Sequence, residues 1–136
     1  MPAAQVLDSH ALLRLFRDEP GAETVAAILE KAGLRDLPVH MTEVNYAEVQ
    51  YIVRRKDGDV AWSRIADELL AAPIEFHPST RSLADLAAGF KARHRISLAD
   101  AFAAALAKEM KAELVTGDSE FKPLEREIRI AWLTAY

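Results

Sequence analysis

Residues 97–118, SLADAFAAALAKEMKAELVTGD, decide the fold. Ser97 carries a hydroxyl suited to opening a helix. From Leu98 to Lys111 the chain is apolar nearly all round: Leu98, Ala101, Phe102, Ala104, Ala105, Leu106 and Met110, with no charge between Asp100 and Lys108. A helix of that pattern is buried on more than one side, and its alanines let a sheet or a neighbouring helix approach closely. It is too short to span a bilayer. Only a few residues around Ala112 separate it from Leu114-Val115-Thr116, which reads as a short buried strand. The helix therefore ends at the amino end of that strand, and its first turn, with Asp100, lies at the carboxyl edge of the sheet.

The same pattern repeats in both directions. Gln5-Val6-Leu7-Asp8 is a short apolar run closing on a carboxylate, the first strand, after which Ser9 can cap a helix containing Leu12, Leu13, Leu15 and Phe16. Pro20-Gly21 breaks that helix. A second helix runs from Ala22 to Ala32 and is stopped by Gly33. Leu37 to Met41 reads as strand two, followed by a helix near Asn45 to Arg55, a turn at Asp57-Gly58-Asp59 and a helix from Val60 to Ala72. Ile74-Glu75-Phe76 is a third strand, residues 80–93 are helical, and Ile128, Ile130 and Trp132 alternate as a fifth strand after the one at Leu114. Short strands separated by helical patterns specify an α/β domain with a mainly parallel sheet.

Composition narrows the function. The 136 residues are 51% hydrophobic and 28% charged, which suits one globular domain with a substantial core. No apolar run approaches the roughly 20 residues of a membrane helix, no secretion signal is visible, and a cytoplasmic address is the expectation. With no cysteine there is no disulfide, thiolate metal site or thiol nucleophile. Seventeen Lys+Arg against twenty-one Asp+Glu give a net charge of -4, which argues against nucleic-acid binding through bulk charge and leaves local basic patches as the means.

Topology then gathers the acids. Ligands of a parallel α/β sheet bind outside the carboxyl ends of its strands. Asp8 closes strand one, Glu48 lies in the first turn of the helix after strand two, Asp100 opens the long helix, and Asp118 comes within two residues of the end of strand four. Each alone can be explained as a helix-start residue: Asn45 with Glu48 and Ser97 with Asp100 both have capping-box spacing, and Asp8 and Asp118 can each cap the next helical turn. A cap contributes about 1 kcal/mol. Two unit charges ~4 Å apart repel by roughly 4 kcal/mol at an effective dielectric near 20. Carboxylates converging on one rim therefore cost more than their caps return unless a cation neutralises them. Oxygen-only donors, with no cysteine and no paired histidines, favour Mg²⁺ or Mn²⁺, and such an ion suits phosphodiester hydrolysis.

The chain resembles the PIN domain family, and within it the VapC-type toxin ribonucleases of bacterial toxin–antitoxin pairs. The matching blocks are Val6-Leu7-Asp8-Ser9-His10-Ala11-Leu12-Leu13, Asn45-Tyr46-Ala47-Glu48-Val49, Ser97-Leu98-Ala99-Asp100-Ala101 and Val115-Thr116-Gly117-Asp118-Ser119-Glu120-Phe121, in family order across essentially the whole chain. The resemblance implies a single domain over residues 1–136, a three-layer α/β/α sandwich around a central, mainly parallel five-stranded sheet. It implies a metal-dependent endoribonuclease with Asp8, Glu48, Asp100 and Asp118 as the acidic cluster. Asp8 and Asp100 are then the principal metal ligands, Asp118 and Glu48 complete the shell or position water, and Thr116 hydrogen-bonds within the site. It further implies a small antitoxin partner whose tail covers the groove, and a homodimer.

Two sets of residues lie outside that cluster. Arg14 and Arg17, Arg54-Arg55-Lys56, and Lys91, Arg93, His94 and Arg95 form local basic groups. The last precedes Asp100, so Arg93 and Arg95 are the first candidates for phosphate contact, with solvated helix ends as the plain alternative. His10, where the family often has Ser, Thr or Asn, can reach a phosphate or a carboxylate. His40, His77 and His94 show no ligand spacing and read as structural or exposed. A PIN-like binding module that has lost its chemistry is the alternative to a nuclease. A phosphoryl-accepting receiver domain fits less well, since Ser9 and His10 come directly after Asp8 and no lysine stands beside Trp132.

Overall fold

Val6 and Leu7 are both fully buried, yet they belong to different cores: Val6 packs with one layer of helices and Leu7 with the other. Leu114 and Val115 divide in the same way. Neighbouring residues of a strand point to opposite faces, so a strand with no polar alternation must be covered on both sides. A sheet between two helical layers is the result. The computed structural model describes residues 3–133.

The elements run β1 (Gln5–Leu7), α1 (Ser9–Phe16), α2 (Ala22–Arg35), β2 (Val39–Thr42), α3 (Glu43–Asp57), α4 (Asp59–Ala71), β3 (Ile74–His77), α5 (Arg81–Arg93), α6 (Leu98–Met110), β4 (Glu113–Thr116), a 3-10 helix (Ser119–Leu124) and β5 (Arg129–Trp132). The strands are ordered β3-β2-β1-β4-β5, and every pairing is parallel. The expected mainly parallel five-stranded sheet is thus wholly parallel. Helices α1 to α4 cover the Leu7 face, while α5, α6 and the 3-10 helix cover the Val6 face. The winding reverses between β1 and β4, which is where an open α/β sheet leaves a crevice at its carboxyl edge.

Helix α6 lies against the centre of the sheet. Residues Ala101 to Ala107 form one continuous buried run, as its composition predicts.

Several boundaries differ from the sequence reading for identifiable reasons. Asp8, not Ser9, is the N-cap of α1, accepting from the Ala11 backbone N–H at 2.8 Å. Helix α3 begins at Glu43 with Thr42 as its cap, so Asn45 is an internal residue of the first turn. Gly33 does not stop α2; the helix continues to Arg35 and ends on Asp36 in the left-handed region (φ 54°), a conformation Asp tolerates. Leu37 is exposed and precedes β2, and Ile128 precedes β5. The histidines are not all scattered. The β2–β3 register sets His40 opposite Glu75 and Thr42 opposite His77, bringing His40 Nδ1 within 2.9 Å of His77 Nε2.

Candidate functional site

The parallel register of β1 and β4 aligns Leu7 with Val115, so the next residues, Asp8 and Thr116, emerge side by side at the carboxyl edge. Both are fully buried. The Thr116 hydroxyl donates to Asp8 Oδ2, and the Ala11 backbone N–H donates to Oδ1. Thr116 Oγ1 in turn accepts from the Asp118 backbone N–H at 3.0 Å, which turns the chain so that the Asp118 carboxylate returns towards the rim. That carboxylate caps the 3-10 helix, accepting from the Glu120 N–H at 2.9 Å, and meets His10 Nε2 at 3.1 Å.

Asp100 arrives from the other layer. Ser97 caps α6, its hydroxyl accepting from the Asp100 N–H at 3.0 Å, and Asp100 is only 4% exposed. The start of α3 is joined to the start of α6 by Asn45. Its Nδ2 donates to Ala99 O at 3.1 Å and to Ser9 Oγ at 3.0 Å, while its own N–H donates to Thr42 Oγ1. A buried amide with its donors used in this way holds three helix starts in fixed relation. Spacing alone marks Asn45 as a cap and does not reveal this bracket, although the residue lies one turn before Glu48 in the block that carries the resemblance.

The electrostatics of these acids stem from their surroundings. Burial pushes the Asp8 carboxyl up from 3.8 to about 6, against the Thr116 and Ala11 hydrogen bonds and the nearby His10, with Asp118 adding to the rise. Asp100 is pushed up to about 7, first by burial and then by the carboxylates of Asp118, Asp8 and Glu48. Asp8, Glu48 and Asp118 therefore all bear on Asp100 at this edge, and Asp118 bears on Asp8 as well. Oxygen atoms of Asp100, Asp118 and Glu120 lie within 4.8 Å of one another, so Glu120, which sequence reasoning leaves out, joins the group. An all-carboxylate donor set whose buried members resist ionisation in isolation suits a hard divalent cation held partly by water.

The basic residues divide. Arg95 is exposed on the segment between α5 and α6, leading to Ser97. Arg93 instead pairs with Glu127 at 2.6 Å, beside His94 on the same carboxylate, and Lys108 near the end of α6 donates to Glu127 O. Glu127 lies just before β5, at the amino end of the sheet, so Arg93 is turned away from the rim where its place in the sequence suggests it. Arg14 is also committed: its guanidinium donates to Pro20 O and Gly117 O, so close to Gly117 that a Cβ there would collide with it.

A family model described as PIN domain matches residues 6–127 of the chain. A comparison with curated proteins gives no match. Among solved structures, the chain is similar to VapBC2 from Rickettsia felis bound to a promoter DNA fragment, with a TM-score of 0.77, 17% identity and coverage of 96% of this chain and 99% of that one. It is similar to DNA-bound VapBC from Salmonella typhimurium, with a TM-score of 0.72, 14% identity and coverage of 97% and 99%. FitAcB from Neisseria gonorrhoeae gives a TM-score of 0.67 and 22% identity, covering 93% and 95%. At these identities the likeness is one of fold.

Proposed function

The chain belongs to the PIN domain family, and on that premise we propose that it is a metal-dependent endoribonuclease, a single-domain toxin of a type II toxin–antitoxin pair. The observation that carries this reading is the burial of the Asp8 and Asp100 carboxyl groups at the crevice between β1 and β4, with oxygen atoms of Asp118 and Glu120 within 4.8 Å of Asp100. In this reading Asp8 and Asp100 are the principal ligands of one or more Mg²⁺ or Mn²⁺ ions. Asp118 and Glu48 complete the shell or orient water. A hard divalent cation bound there supplies an activated water and charge stabilisation at the scissile phosphate.

The chain's own residues prepare that chemistry. Thr116 holds Asp8 in one orientation and favours its ionised form, and Asn45 keeps the α3 and α6 starts together. His10, half-exposed and against Asp118, is placed to meet a phosphate oxygen or to hold that carboxylate. Arg95 on the approach to Asp100 is the proposed backbone contact for RNA. A small antitoxin covering the groove and a homodimer are proposed as partners, supported by solved complexes of the VapBC type sharing this fold. Among the described residues no helix is long and apolar enough to cross a membrane.

The test uses purified protein with structured and unstructured RNA, with and without Mg²⁺ or Mn²⁺. Divalent-dependent endonucleolytic cleavage is expected, reduced at least about 100-fold in Asp8→Asn and Asp100→Asn with the fold retained. Undiminished cleavage by both variants sinks the assignment of the site. Tight RNA binding without cleavage under any divalent ion makes the chain a binding module instead.

A further inference from the structure

His40, Glu75 and His77 come together away from the acidic rim. They lie on β2 and on β3, the edge strand, and the register puts His40 opposite Glu75. Val6 pairs with His40 and packs with the α5–α6 layer, so the three side chains share that face of the sheet. His40 Nδ1 is 2.9 Å from His77 Nε2 and 3.5 Å from Glu75 Oε2, and one ligand atom from each residue lies within 4.8 Å of the others.

We propose that His40, Glu75 and His77 form a second metal site, taking one transition ion of the zinc class and stapling edge strand β3 to β2. Two imidazoles and a carboxylate make the three-ligand set of an open zinc site, with water in the fourth position. In a tetrahedral site with metal–ligand bonds near 2.05 Å the ligand atoms stand about 3.3 Å apart. The two separations from His40 bracket that value, and the third lies within 4.8 Å, a gap that rotation of the exposed Glu75 side chain can close. His40 is largely buried and fixed by the sheet, while the Glu75 side chain is 57% exposed and leaves the open position facing solvent. Imidazole donors favour zinc, copper or nickel, whereas the oxygen-only rim favours magnesium or manganese. The two sites thus select different ions. The staple has a structural use: β3 pairs on one side only, and none of its four residues is fully covered.

The experiment titrates Zn²⁺ into the full chain by calorimetry, with excess Mg²⁺ present to occupy the acidic rim, and tracks Co²⁺ substitution by visible absorption. Expected are one equivalent of bound Zn²⁺, the intense Co²⁺ bands of a four-coordinate site, and a rise in Tm of roughly 5 °C. His77→Gln and Glu75→Gln, at partly exposed positions that tolerate the change, should each weaken Zn²⁺ binding, His77→Gln by at least about 100-fold, with the far-UV circular dichroism unchanged. Three results overturn the site: no Zn²⁺ uptake in the presence of Mg²⁺, equal affinity in His77→Gln, or uptake lost in Asp100→Asn but kept in His77→Gln. None of these readouts depends on cleavage, so a failure of the nuclease assignment leaves this one standing.

Discussion

The hydroxyl of Thr116 donates to the carboxylate of Asp8 from the neighbouring strand, across 108 residues of sequence, while accepting from the backbone of Asp118. One side chain thereby sets two of the acids. Its removal has a definite sign. The hydrogen bond favours the charged form of Asp8 and opposes the upward push of burial. Thr116→Val keeps the shape and loses the donor, so Asp8 should ionise at still higher pH. The acidic limb of the pH–rate profile should move upward, and apparent Mg²⁺ affinity should fall roughly 10- to 100-fold. An unmoved profile would show that Thr116 does not act on the ligand.

Stability of the metal-free protein should fall as pH rises. Asp8 and Asp100 hold their protons in the fold to about 6 and 7, well above their ordinary 3.8. The folded state therefore binds more protons than the unfolded state in this window. The stability this contributes is complete below about pH 4 and is lost as pH passes through the raised values. Thermal melts in chelator should show Tm several degrees lower at about pH 8 than at about pH 5.5, and added Mg²⁺ should raise Tm more at the higher pH. A Tm that climbs over this interval in chelator contradicts the linkage.

Arg95 and Arg93 should separate in kinetics although they are two residues apart. Arg95→Glu should raise KM for RNA about 10-fold, leave kcat nearly constant and reduce the salt dependence of binding by roughly one counterion. Arg93→Glu breaks an exposed pair with Glu127 and should cost no more than about 1 kcal/mol in urea melts, with KM little altered. Equal effects on KM would mean that both face the substrate.

Ala104 is fully buried in the middle of α6, within the core on the Val6 face of the sheet. Ala104→Leu should lower unfolding free energy by about 1–3 kcal/mol in urea denaturation. A stability equal to that of the parent would show slack between α6 and the sheet.

The strands, the long alanine-rich helix and the edge of the sheet to which the acids belong were legible because they rest on short-range pattern and on the direction of the chain. Thr42 against Asn45 was not, since both residues cap helices well and the pattern does not say which turn comes first. Gly33 misled because its cost inside a helix is only about 1 kcal/mol, which the packing of α2 outweighs. The pairing of His40 with His77 depends on a strand register set by two intervening helices, and no local spacing records it. Arg93 is close to Asp100 in sequence, but its partner Glu127 comes from the opposite end of the sheet.

The reversal of winding between β1 and β4 has a consequence for how the molecule is made. Since β4 flanks the central strand β1 and arrives late in the chain, the first hundred residues alone leave one side of β1 unpaired and lack Asp118. The proposed capacity to hold Mg²⁺ at the rim would then be acquired only together with cooperative closure of the whole domain, and a copy truncated before β4 should be as inert towards that ion as an unfolded one.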